Sequence, residues 1–347
     1  MIPFIKEKFV AHKCTLVADI GCGLGYLGNA LTSLYNIDVK GFELRASNCQ
    51  SARNYTSNSS SFATEQLIVD KSIECTKAIQ TALTYHDKTK AASVSSKPNP
   101  EQLNLSSSPL RTRSSDQRIC MVGLHCCGDL TPATLFQFHH LDECKVLICL
   151  GCCYHRLCSE NKTSFENFPL SMKLKTEYDF TQPNDRKLNG LALRLACQET
   201  KSRWLCKTEQ EVNNHSKHVA FRAVLEYYCW KTGSSLTKKH KKLTGSAAFK
   251  TFETYIDAVL SRVDDFSPLD SIITVRQDLL LCYEECKPYF SCVMWYNALQ
   301  VMMQGVLESL ILRDRKEYLL ELGIYCQLIS LFDDEISPRN IALLAWK

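Results

Sequence analysis

Two stretches of the chain crowd chemically active side chains together. "LHCCGDLTP" (124–132) offers His125, Cys126, Cys127 and Asp129, and "GCCYHRLC" (151–158) offers Cys152, Cys153, Tyr154, His155 and Cys158. Each follows a short apolar run that reads as a strand. On a parallel sheet both would reach one rim, where active sites form. Three chemistries compete there. Cys and His are zinc ligands, but adjacent cysteines lack the C-x₂₋₄-C spacing that structural zinc favours, so no metal is expected. A reactive thiolate needs a neighbour that lowers its pKa, and the sequence marks none. The favoured reading makes the cysteines small packing residues at crowded strand ends. His125, Asp129, Tyr154 and His155 are then the candidate catalytic side chains, because carboxylate and imidazole groups can position a nucleophile or accept its proton. In the blander alternative, Asp129 and His155 only hydrogen-bond the loop backbone.

A third stretch, "CTLVADIGCGLGYLGNAL" (14–31), reads as a buried strand turning tightly into a helix. Gly23, Gly25 and Gly28 match G-x-G-x-x-G, the dinucleotide fingerprint. Asp19, Gly21, Gly23 and Gly25 match the acidic-x-G-x-G-x-G turn of enzymes that use S-adenosylmethionine (SAM). Charge separates the two. A dinucleotide brings an anionic pyrophosphate to the helix N-terminus, where free N–H groups attract it and Asp19 would repel it. SAM brings an ammonium and a sulfonium, which a carboxylate suits. The expected cofactor is therefore SAM. Asp19, Gly21, Gly23 and Gly25 would hold its amino-acid end, and Glu43, closing the next strand, its ribose.

The elements that must position these groups follow in order. "TLVADIG" (15–21), a helix to about residue 34, "IDVKGFE" (37–43) and a polar helix over 46–55 begin a parallel doubly wound sheet. "EQLIVD" (65–70) reads as a third strand, 72–83 as a helix, and "RICMVGLH" (118–125) and "KVLICLG" (145–151) as further strands. Residues 87–117 are so poor in apolar side chains that a disordered insertion is expected. From about 200 to 325 the apolar period becomes helical, and "RNIALLAWK" (339–347) returns to a strand. Leu299, Met302, Met303, Val306 and Leu310 make one helical stripe, and the aromatic and Met positions of 289–303 read as core. The expectation is a single domain over 1–347 with a helical block inserted before its last strand.

Bulk composition narrows the class. The net charge of +4 and pI near 8.2 permit a nucleic-acid partner without arguing for one. Lysines interrupt the only segment where a signal-peptide core would sit, and no uncharged apolar run reaches the roughly 18 residues of a membrane span. Nineteen cysteines, an odd number and partly clustered, fit a reducing compartment, so a cytoplasmic or nuclear protein without membrane attachment is expected. "KKHKK" (238–242) reads as a solvated face, with phosphate contact as its functional alternative.

Taken together, "DIGCGLGYLGNAL", "GLHCCGDLTP", "CLGCCYH", "LACQ" followed by Trp204, "FRAVLE" and "LFDDEISPRN" resemble the methyltransferase-like protein 25 family. "HCCGDLT" and "CCYH" are more distantly similar to a tRNA 2′-O-methyltransferase family with a Cys-Cys-His-His stretch, although that family's zinc finger has no counterpart here. The resemblance implies a Rossmann-like α/β fold of the class I SAM methyltransferase type. It implies methyl transfer to an O or N nucleophile of a macromolecular acceptor, RNA or protein. Relatives carry a sizeable lysine-rich segment before the first strand, where this chain has about 14 residues. A SAM-binding module without turnover, or an NAD-dependent oxidoreductase, are the rival expectations.

Overall fold

The computed structural model describes residues 1–55, 61–94, 117–158, 165–177, 188–234, 236, 246–262 and 272–347, with side chains of 85–94 and 246 excepted. Most of the expected insertion 87–117, and all of "KKHKK", lie outside the described residues. The chain divides into two compact units: Met1–Gln198 with Gln304–Lys347, and Glu199–Met303.

The first unit holds a sheet of β1 (Leu16–Ile20), β2 (Val39–Glu43), β3 (Phe62–Gln66), β4 (Ile119–Cys126), β5 (Cys144–Gly151), β6 (Tyr325–Ser330) and β7 (Ile341–Trp346). The strand order is β3-β2-β1-β4-β5-β7-β6, with β7 antiparallel to both its neighbours and the rest parallel. This is the expected Rossmann-like, doubly wound, mostly parallel sheet. Its central strands are near-continuous apolar runs because helices cover both faces. Val17, Val39, Val122 and Ile148 point to one face, toward α1 (Ile2–Ala11) and α2 (Tyr26–Tyr35). Ala18, Ile20, Met121 and Leu147 point to the other, toward α4 (Ile73–Val94) and α5 (Leu130–His140), while α3 (Ala46–Tyr55) closes against β3.

Three expectations need correction. The third strand lies at Phe62–Gln66 instead of 65–70, because β2 ends at Glu43, which pairs with Gln66 and leaves the ladder no further partner. Leu67 and Val69 still pack on the core, as loop residues. The inserted helices precede two strands, not one. β6 was not expected because it is an edge strand whose side chains are mostly exposed, so no apolar pattern marks it. The third correction concerns the helix Phe290–Glu321. Leu299, Met302, Met303 and Val306 are exposed, as are Tyr289, Trp295 and Tyr296, and Leu310 is half-buried. Leu307, Ile311 and Leu319 are buried instead, alongside polar Gln304, Glu308, Asp314 and Arg315.

The second unit packs its own helices. Residues from Glu209–Thr232, Phe252–Leu260 and Ile272–Cys286 form a cluster around Phe221, Tyr255, Ile256 and Leu279. Tyr228 is buried there, whereas Trp230 is exposed.

Candidate active site

Strands β1, β2 and β3 step one way across the sheet and β4 and β5 the other. The order therefore reverses between β1 and β4, where open α/β sheets bind ligands. A cleft of about 590 Å³ lies there, within the size range of small-molecule sites. Gly21, Glu43 and Leu44 line one wall, and His125, Cys127 and Asp129 the other.

On the β1 side, Gly21, Gly23 and Gly25 all adopt left-handed backbone, with φ of 70°, 55° and 77°. Gly25 caps α2, and a Cβ there would come within 2.6 Å of Phe62. Gly28 lies inside the helix and lets the same ring approach. The turn's donors are largely used. Gly21 N–H and Cys22 N–H donate to the Phe42 carbonyl, and Gly25 N–H to the Cys22 carbonyl. Gly23 N–H donates to Glu43 Oε2 at 3.1 Å. A carboxylate therefore stands where a pyrophosphate would need to be received. Glu43 Oε1 also accepts from Arg45 N–H and Asn48 Nδ2, so the side chain that faces the cleft is fixed by three donors.

Asp19 contrasts with it. It is 2% exposed, and its Oδ2 is buried without a hydrogen-bond partner. Burial first, and then the nearby Glu43 carboxylate, push its carboxyl up to about 7. An unpaired buried carboxylate is costly, and a cationic group of a ligand would relieve it.

On the β4 side the loops are locked together. Gly128 has φ of 55°, and a Cβ there would approach the Arg156 carbonyl oxygen to 2.5 Å. That close approach seats Gly128 N–H on the Cys153 carbonyl. Asp129 is fully engaged: Oδ2 accepts from Cys158 N–H at 2.7 Å and Oδ1 from Asn167 Nδ2 at 2.8 Å. Asn167 in turn accepts from Lys71 Nζ, and its carbonyl accepts from buried Arg315. His125 is exposed on the cleft wall.

Tyr154 and His155 point elsewhere. Tyr154 is buried, its hydroxyl 3.1 Å from Glu308 Oε1, and burial followed by the Glu308 charge pushes it well above the usual tyrosine range. Glu308 pairs with Arg339 at 2.8 Å and accepts from Gln304 Nε2 at 2.7 Å. Arg339 also donates to the carbonyls of Ala196 and Gln198. The His155 ring lies 3.5 Å from Cys197 Sγ, and burial and then Arg194 lower its pKa. Neither side chain lines the cleft. Sequence reasoning did not find Lys71, Asn167 or Arg315. No local pattern marks them: Arg315, for one, stands in "ESLILRDRKEYLLE", where half of the residues are charged.

The thiols divide as well. Cys126 and Cys149 are buried packing residues, as expected. Cys127 lines the cleft, and its pKa is lowered to about 6, chiefly because Cys152 hydrogen-bonds to it; the Cys152 thiol is pushed up correspondingly.

Comparison with known proteins agrees with this layout. Residues 1–160 match the family model described as a methyltransferase domain. Over 242 residues, 65% of it, the chain is 32% identical to probable methyltransferase-like protein 25 of Mus musculus, and over 243 residues it is 30% identical to the Homo sapiens protein. It spans 37% and 36% of those two proteins' lengths. The chain thus resembles methyltransferase-like protein 25 over 65% of its length. Among solved structures, 23S rRNA methyltransferase ErmE aligns with 82% of this chain and 95% of its own, at 12% identity and a TM-score of 0.27.

Proposed function

We propose that the chain is a SAM-dependent methyltransferase that modifies an O or N nucleophile of a macromolecule, RNA or protein. The observation that carries this reading is the state of the β1 turn. Its N–H groups at Gly21, Cys22, Gly23 and Gly25 are already bonded, one of them to a carboxylate, while Asp19 Oδ2 is buried and unpaired. Such a turn repels a pyrophosphate and suits an ammonium. SAM, when bound, supplies an electrophilic methyl group on a sulfonium.

Within this proposal, Asp19 and the turn at Gly21, Gly23 and Gly25 receive the amino-acid end, and Glu43, held by Gly23 N–H, Arg45 N–H and Asn48, accepts from the ribose. His125, exposed on the opposite wall, positions the acceptor or takes its proton. Asp129 serves by holding the loop before Asn167. Methyl transfer draws much of its rate from positioning, so one imidazole is sufficient as a base. Tyr154 and His155 take no part at the cleft in this reading. We place the protein in the cytoplasm or nucleus, since 19 free cysteines suit a reducing compartment. Among the described residues no helix is long and apolar enough to cross a membrane.

The test is twofold. Labelled SAM should bind the purified chain and NADH should not. Tritium from methyl-labelled SAM should enter a lysate fraction, and ribonuclease against protease then identifies the acceptor. NADH binding would return the oxidoreductase reading; SAM binding with no transfer to any fraction would favour a binding module.

A further inference from the structure

Three thiols converge at the rim of the cleft without a role in the proposed transfer. Cys127 Sγ lies 2.8 Å from Cys152 Sγ, and Cys152 Sγ lies 3.7 Å from Cys153 Sγ. All three sulfurs lie within 4.8 Å of one another. Packing alone does not draw sulfurs this close, and all three cysteines are free. A tetrahedral zinc site with metal–sulfur bonds of about 2.3 Å has sulfur–sulfur edges of roughly 3.8 Å, which the Cys152–Cys153 pair already matches and to which the Cys127–Cys152 pair would open by about 1 Å.

Adjacent cysteines in a strand would point to opposite faces and could not share an ion. Here the strand has ended. β5 stops at Gly151, and Cys153, with φ of −104° and ψ of 70°, leads into a single 3₁₀ turn at Tyr154–Arg156. That bend turns both sulfurs to one side. Register brings the third: Cys126 pairs with Gly151 across β4 and β5, and Gly128 N–H is bonded to the Cys153 carbonyl. Cys152 is buried, while Cys127 and Cys153 are half-buried and Cys127 opens on the cleft. The guanidinium of Arg156, also on the cleft wall, lies close enough to Cys127 to favour its thiolate electrostatically.

We propose that Cys127, Cys152 and Cys153 form a three-thiolate site for a thiophilic divalent cation of the zinc class, with its fourth position open toward the cleft. The ion would bind three thiolates, replacing whatever sulfur–hydrogen bonds remain with metal–thiolate bonds and releasing those protons to solvent. It would pin the loop after β4, which joins His125 to Asp129, to the loop after β5. Binding at this site is independent of methyl transfer, and its failure can be told apart from failure of the SAM reading.

The test uses the full chain, stripped of metal under reducing conditions and titrated with Co²⁺ as the probe. The site predicts one equivalent of cobalt with a near-ultraviolet thiolate-to-metal charge-transfer band and the visible bands of a four-coordinate ion. Zn²⁺ should displace both. Cys127→Ser and Cys153→Ser should each diminish the charge-transfer band, the triple Cys127→Ser/Cys152→Ser/Cys153→Ser variant should lose it, and Cys158→Ser should keep it. Circular dichroism and SAM binding, measured on every variant, report whether the chain is folded. A folded wild-type chain without the band, or a folded triple variant that keeps it, would overturn the proposal. A Cys127–Cys152 disulfide found by non-reducing peptide mapping of protein isolated without reductant would overturn it in favour of a redox pair.

Discussion

Two aspartates near the cleft are treated in opposite ways: Asp129, capping α5, lines the cleft, whereas Asp19, on β1, is buried and does not line it. Asp129, on the β4 side, has both oxygens filled, by Cys158 N–H and Asn167. Asp19, on the β1 side, is more deeply buried and has an oxygen with no partner at all. A satisfied carboxylate stabilises the loop that satisfies it. An unsatisfied buried one costs folding free energy, and that cost is recovered only when something cationic arrives. Under the proposed function, this difference fits Asp129 to architecture and Asp19 to the ligand.

The contrast can be broken most severely at Asp19. Asp19→Asn should weaken SAM by roughly a hundredfold, about 3 kcal/mol, as for loss of one partner of a buried charge pair. The same variant should melt at a higher temperature than wild type near pH 8, because it removes an unpaired buried charge. Titration calorimetry and thermal melts read the two effects on one sample.

The pH dependence follows from the same group. The carboxyl of Asp19 titrates near 7 when folded and near its usual 3.8 when unfolded. Between those values the folded state holds a proton that the unfolded state has lost, so this contribution to stability falls as pH rises through that window. Wild-type stability minus that of Asp19→Asn should therefore fall steadily from pH 4 to 7 and then level. Denaturant melts across that range check the slope; an opposite sign would mean that Asp19 has a partner.

Asp129→Ala should behave in the complementary way. It should lower stability by about 2 kcal/mol, since it orphans Cys158 N–H and Asn167, while SAM affinity changes less than about threefold. Affinity loss exceeding stability loss would reverse the assignment of the two walls. The smallest effect is expected at Glu43→Gln, which keeps the shape but exchanges one acceptor for a donor facing Gly23, Arg45 or Asn48. A loss of about 1 kcal/mol in SAM binding, near fivefold, is expected by equilibrium dialysis.

The sequence exposed one wall of the cleft better than the other. The turn from Asp19 to Gly28 was legible because it is local: strand, glycines and helix follow within a dozen residues, and each glycine has a steric reason to be there. The roles at the β4 and β5 rim depend on partners far along the chain, such as Arg315 behind Asn167 and Glu308 behind Tyr154, and no local pattern announces them. Tyr154 and His155 follow β5 as expected, yet the turn after Cys153 swings them away from the cleft. Periodicity failed for a different reason in the helix Phe290–Glu321. Apolar residues occur all round it, so spacing could not select a buried face, and the face taken is the one whose polar residues find partners: Glu308 with Arg339, and Asp314 with the N–H groups of Leu170 and Ser171. The sheet order was partly legible, but edge strand β6 lacks the apolar alternation that reveals a half-buried strand.

The central claim is that a protonated, unpaired Asp19 becomes ionised when a cationic ligand arrives. Calorimetry of SAM binding near pH 6, repeated in buffers of different ionisation enthalpy, measures the protons released directly. Close to one proton should be released per ligand bound, shrinking as the pH passes 7. Binding with no proton release at pH 6 would contradict it, and so would a ligand that binds Asp19→Asn as tightly as wild type.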